Sequence, residues 1–125
     1  MKGKAYEKQS GREGKYLLAD RDVNGYPYWV QEDGSKNAIW LDKVDVNWKI
    51  ASSSSLGSTN YGIKGQSGKD SYPNMITDNW IYYDGDNDET YNATSSEIII
   101  RGIFYVEHFG LRKEYMNTLP EILQF

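Results

Sequence analysis

The chain has 125 residues, no cysteine, and a formal net charge of −4 from 14 basic and 18 acidic side chains. That length fits one domain with a working core, and the missing cysteines exclude disulfides, thiolate zinc sites and cysteine nucleophiles. No basic run interleaves with aromatics, no run approaches membrane-spanning length, and the first residues lack the apolar stretch of a secretion signal; neither nucleic acid nor a membrane is an expected partner.

Eleven tyrosines and four tryptophans stand against three phenylalanines. Rings that carry a polar handle suit half-buried sheet surfaces, so the composition favours β structure. Residues 1–14 hold Lys2, Lys4, Lys8 and Arg12 against Glu7 and Glu13, with almost no apolar side chain. They read as a flexible leader. The first strand spans 15–22, and Asn24-Gly25, which tolerates the positive φ angles of a type I′ turn, returns the chain as a second strand over 26–32. A two-residue loop sets Val23 opposite Tyr26, Arg21 opposite Tyr28 and Ala19 opposite Val30. Leu17, Ala19, Val23, Tyr26, Tyr28 and Val30 then share the face expected to be core, while Leu18, Asp20, Asp22, Pro27, Trp29 and Gln31 share the wetter one.

A third strand is expected over 37–42. A four-residue loop before it places Trp29 opposite Trp40; a five-residue loop shifts the pairing by one and sends Trp40 to the other face. The run 46–51 alternates, with Val46, Trp48 and Ile50 on one side, and is expected to bury these with Tyr28 and Val30. From Ser52 to Gly68 the composition turns to Ser, Gly, Thr and Asn, a long loop anchored by Leu56, Tyr61 and Ile63, with one short strand over 61–64. Residues 79–84 form another aromatic strand, with Trp80 and Tyr82 on one face and Ile81 and Tyr83 on the other.

Between Asp70 and Ile100 lie seven acidic residues and no basic one. Asp84, Asp86 and Asp88 stand at alternate positions, as oxygen ligands for Ca2+ do in the first half of an EF-hand loop, but Glu89 occupies the place of the glycine and Ser95 that of the bidentate glutamate. The competing reading is a solvated Asp-Gly hairpin loop. Asn92-Ala93-Thr94 has the pattern of a glycosylation acceptor. Residues 97–101 read as a β-branched strand covered on both faces. In the tail, 102–125, Ile103 to Met116 reads as a helix or as a strand followed by a helix, and Thr118-Leu119-Pro120-Glu121 has the spacing of a helix cap, so a short helical segment packed on the sheet is expected. The whole is a mainly β fold, or α+β by the tail: an antiparallel meander of about six or seven short strands over 15–101.

Gly14-Lys15-Tyr16, Asn24 to Trp29 (Asn-Gly-Tyr-Pro-Tyr-Trp), Asn37-Ala38-Ile39-Trp40-Leu41, Trp48-Lys49-Ile50, Asn79 to Gly85 (Asn-Trp-Ile-Tyr-Tyr-Asp-Gly) and Ile98-Ile99-Ile100 carry a resemblance. In that order they resemble a loosely defined group of small tryptophan-rich modules of multidomain extracellular proteins from marine and microbial eukaryotes, which have no established activity. The resemblance implies an extracellular setting; such modules often carry cysteines, which this chain lacks, and nothing in it matches the segment after Arg101.

The function expected is a non-catalytic β module that binds a glycan or a protein partner. Carbohydrate binding would place Trp29 and Trp40 as a stacking platform, with Asp20, Asp22 and Asp42 bonding hydroxyls. In the competing arrangement the tail from Ile103 to Phe125 folds over both rings, since apolar area of that size rarely stays bare. A subunit joined to an assembly through open sheet edges or the tail is the alternative. A small glycan-active enzyme is the third reading; Asp20 with Asp42 offers a carboxylate pair, but the lone His108 has no nucleophile to serve.

Overall fold

The Asn24-Gly25 turn forms as its residues require: both take positive φ, 56° and 82°, and Val23 faces Tyr26 across it. The structure, a computed structural model, describes residues 1–34, 36–66, 71–77, 79–94, 97–103 and 119–125. Among these are nine strands: β1 (Lys15–Val23), β2 (Tyr26–Gln31), β3 (Asn37–Leu41), β4 (Trp48–Ser52), β5 (Ile63–Gly65), β6 (Trp80–Asp84), β7 (Glu89–Asn92), β8 (Arg101–Ile103) and β9 (Ile122–Gln124). They make one curled sheet, antiparallel at every junction, in the order β7-β6-β5-β4-β3-β2-β1-β9-β8. The mainly antiparallel meander is therefore present from β1 to β7, with more strands than expected. No helix among the described residues is long and apolar enough to cross a membrane.

The ends of the chain depart from expectation. Residues 1–14 are not a loose leader: α1 (Gly3–Gln9) and a 3₁₀ turn (Ser10–Arg12) pack on the sheet, with Ala5 fully buried. Apolar contact comes from Ala5 and Met1, and polar groups do the rest. Gln9 donates to the Tyr83 carbonyl at 2.6 Å, Arg12 donates to Asn37, and Tyr16 donates to the Arg12 carbonyl. At the other end Pro120 leads into β9, which inserts between β1 and β8; Glu121 N donates to the Ile103 carbonyl, so this residue begins strand pairing instead of a helix. The expected helix over the earlier part of the tail, with His108, lies outside the described residues. Of the expected strand over 97–101 only Arg101 is in a strand, as the first residue of β8, and Ile98 and Ile100 are buried while Ile99 is 56% exposed.

Pairing between β1 and β2 runs Val23↔Tyr26 and Asp22↔Pro27, then resumes at Leu18↔Trp29. Residues 19–21 thus face Tyr28 alone, a bulge that adds two residues to β1. Two is even, so Leu18, Trp29 and Gln31 still share a face; the insertion moves the partners without flipping the sides. The covered side is the opposite of the expected one. Trp29 is 0% exposed and Val30 is 37% exposed.

The inner face carries Tyr16, Trp29, Ile39, Leu41, Trp48, Ile50, Ile63, Trp80, Tyr82 and Leu123, closed by Ala5, Ile76, Ile98 and Ile100 from outside the strands. Trp29, Trp48 and Tyr72 pack with centroids 5.7 to 6.1 Å apart. Trp48 and Ile50 are core as expected, while Val46 and Tyr28 are only partly buried. Val46 lies before the strand, in a turn at φ 57°, a left-handed conformation that is rare for a β-branched residue. Each of the four indoles donates its N–H to a backbone carbonyl: Trp29 to Pro120, Trp40 to Ser58, Trp48 to Ser71 and Trp80 to Ile76, at 2.6 to 3.2 Å. The tryptophans fill the core with their bodies and tie non-strand segments down with their polar edge.

Candidate functional site

On the outer face, one row of the sheet reads Trp40, Lys49, Lys64, Ile81, Asn92 across β3 to β7. The Ser-rich segment between β4 and β5 folds over the first part of this row. Its Leu56 packs against a small second core of Ala38, Trp40 and Ala51, with Val23 and Tyr28. Asn24 holds it from the side, donating to the carbonyls of Leu41 and Gly57 at 2.9 and 3.3 Å. Gly57 turns the segment at φ 84°, where a side chain would be strained.

Tyr61 then lies over two ammonium groups, Lys49 at 4.6 Å and Lys64 at 5.1 Å from its ring centre. Lys49 is 1% exposed and would be costly there alone. Two carboxylates compensate it: Asp45 Oδ2 at 2.7 Å and Asp42 Oδ2 at 3.7 Å, with Lys64 3.8 Å from the same Asp45 oxygen. The turn between β3 and β4 presents both acids. Val44 N donates to Asp42 Oδ1, Asn47 N donates to Asp45 Oδ1, and Asp42 N donates to the Asn47 carbonyl. Burial raises the Asp45 pKa, but the Lys49 hydrogen bond and charge, Asn47 N and Lys64 outweigh it and leave the carboxyl below its ordinary value. Asp42 Oδ2 is buried and accepts no hydrogen bond, although it faces Lys49.

Beside this cluster the surface is hollow. A groove of about 410 Å³ is lined by Thr59, Asn60 and Tyr61 from the covering segment and by Tyr83 and Thr90 from β6 and β7. Both tyrosines are half-buried. Tyr83 donates to Asp88 Oδ1; that hydrogen bond, then burial, keeps the phenol above its ordinary pKa. Two ring surfaces, two hydroxyls and an amide converge on a cleft, which is the composition of a site for a polar ligand with apolar faces. A second hollow of about 550 Å³ is lined by Asn74, Ile76, Thr77 and residues 98–102, and its lining runs up to the limit of the described residues.

The residues expected from sequence do not meet in one place. Trp29 pairs with Ile39 and not with Trp40, the outcome of the five-residue loop, so the two indoles face opposite sides of the sheet. Both are fully buried, Trp29 under Pro120 and Tyr72, Trp40 under the Ser-rich segment. Pro120 of the tail thus covers Trp29, while among the described residues it is the Ser-rich segment that covers Trp40. Asp20 and Asp22 are exposed, the first in the bulge and the second just beyond it. Asp42 alone joins a polar cluster, with Lys49.

Asp84, Asp86 and Asp88 occupy the β6 to β7 hairpin and are engaged within the chain. Asp84 is fully buried and accepts from Asp86 N and Asn87 Nδ2, with Lys8 at 3.4 Å and Lys4 at 3.8 Å. Lys8 lies 2.6 Å from Asp86. Burial raises the Asp84 pKa, yet these donors and Lys8 overcome it, and the carboxyl stays below the ordinary range. Among the described residues no acidic group of three or more has a metal-holding arrangement.

Lys49, Asp45, Tyr61, Lys64, Tyr83 and Thr90 did not stand out in the sequence as a site. Two signals were available: a lysine centred between Trp48 and Ile50 in a buried strand, and Tyr61 as the one aromatic in a Ser/Gly-rich stretch. No family model, curated protein or solved structure matches the chain.

Proposed function

We propose that the chain is a non-catalytic binding module whose ligand is a glycan held in the groove between the Thr59–Tyr61 stretch and the β6 to β7 hairpin. The observation that carries this reading is the pairing of the Tyr61 and Tyr83 rings with Thr59, Asn60 and Thr90 around one cleft of about 410 Å³. Aromatic rings stack on the apolar C–H faces of sugars, and hydroxyl and amide groups exchange hydrogen bonds with sugar hydroxyls. Tyr61 is pre-placed by the two ammonium groups beneath it, which limits the ordering that binding costs. The likeness to extracellular tryptophan-rich modules, which have no established activity, adds only an extracellular setting to this reading.

The test is a glycan array, followed by titration of bound sugars with the unaltered chain and with Tyr83→Ala. Tyr83→Ala removes one stacking surface from a half-exposed strand position, and a loss of about tenfold in affinity, about 1.4 kcal/mol, is expected. Absence of any bound glycan, or undiminished binding by the variant, overturns the reading.

A further inference from the structure

We propose that the groove selects by charge, taking neutral or amino-bearing sugars and rejecting uronic and sulfated ones; this rests on the glycan reading above. The argument is an account of the ionic groups around the cleft. On the Tyr61 side, both ammonium groups are already held: Lys49 by Asp45 and Asp42, Lys64 by Asp45. On the hairpin side, Lys8 is held by Asp86 and Asp84, while Lys4 reaches Asp84 and lies 4.1 Å over the Tyr91 ring. Each of these lysines therefore has an acidic partner inside the fold.

The carboxylates are not used up in the same way. Asp88 accepts from the Tyr83 hydroxyl and Glu89 Oε2 accepts from the Tyr91 hydroxyl at 2.9 Å; among the described residues neither has a cation partner. Asp88 meets the groove through Tyr83, whereas Glu89 pairs with Asp84 and stands with Tyr91 on the other face of the sheet. Among the described residues the charge left uncompensated at this rim is the negative one of Asp88. An anionic sugar would have to approach that carboxylate or take Lys64 from Asp45. A sugar ammonium would instead gain an ion pair at the rim while its ring stacks on tyrosine.

The test uses an array of hexose, hexosamine and hexuronate oligosaccharides of matched linkage and length, probed at low and at high salt. The expected order is hexosamine, then hexose, with hexuronate several-fold weaker, the discrimination shrinking as salt screens the exposed carboxylate. Asp88→Asn should bring the three classes towards parity, while Glu89→Gln, on the other face, should leave the order in place. Asparagine suits position 88, whose φ is 53°, so the hairpin is retained. Hexuronates bound as tightly as hexoses, or a charge preference unmoved in Asp88→Asn, overturns the selectivity while leaving glycan binding intact. Failure of all three classes to bind overturns both.

Discussion

At Glu97 one carboxylate serves two distant segments. Oε1 accepts from Thr94 N and Thr94 Oγ1 at 2.8 and 3.0 Å, and Oε2 accepts from Ala5 N at 3.3 Å, supplying α1 with the cap that Lys2 has no side-chain oxygen to give. Lys2 N donates to the Glu97 carbonyl as well. The Thr94 N–H is the largest influence on the pKa; burial opposes it, and the helix N–H groups and the Thr94 hydroxyl carry the carboxyl below its ordinary 4.5. A depressed folded-state value means that the stabilisation is complete above the unfolded pKa and disappears as pH falls through the folded one. Glu97→Gln should therefore cost about 1 kcal/mol near neutrality, the ordinary worth of a cap. The two chains should converge in stability below pH 4.5, which denaturant unfolding followed against pH will show. A constant difference down to acid would mean that the charge is not what holds α1.

At the level of the elements, the core is organised by small residues opposite large ones. Gly65 sits on the inner face between Trp48 and Trp80, its partners on either side in the sheet. A Cβ there would lie 2.7 Å from Ile76 Cδ1 and 2.7 Å from Trp80 Cζ3. The isoleucine methyl can turn aside, but the indole is held by its bond to the Ile76 carbonyl. Gly65→Ala should cost about 1–3 kcal/mol by overpacking, seen as a lower denaturant midpoint with an unchanged slope. The aromatic strands, their turns and the β6 to β7 hairpin were legible in the sequence because each depends on neighbours a few residues away. The β2 to β3 register was not, because four- and five-residue loops both satisfy the local turn chemistry, and the choice rests on Ile39 joining Trp29 in the core.

For the molecule as a whole, the last strand holds the first. β9 lies between β1 and β8, and Gly14 and Phe125 exchange backbone hydrogen bonds at 3.3 and 2.9 Å. Contacts this far apart in sequence form only after the intervening loop has closed. A chain ending at Arg101 would leave β1 without its outer partner and take Pro120, Leu123 and Phe125 off the core. It should lose cooperative unfolding, and iodide should quench its tryptophan fluorescence more strongly than that of the full chain. Quenching unchanged by the truncation would show that Trp29 does not depend on the tail for cover.

Sequence alone determined that the chain is an antiparallel meander, where its Asn-Gly turn lies, and that Leu18, Trp29 and Gln31 share a face, because turn dihedrals and the two-residue period of a strand are local properties. It did not determine which face is inside. Val30 is as apolar as a core strand residue should be and Trp29 shares its expected face with Asp20 and Asp22, yet Trp29 is the buried one, because Tyr72 and Pro120 come from distant segments to cover it. The groove has the same origin: Tyr61 and Tyr83 are 22 positions apart in a stretch with no site motif, and only the folding of the Ser-rich segment across the sheet brings them to one cleft. Alternation assigns side chains to faces; burial follows from what the rest of the chain lays on each face, and that is settled only in the tertiary structure.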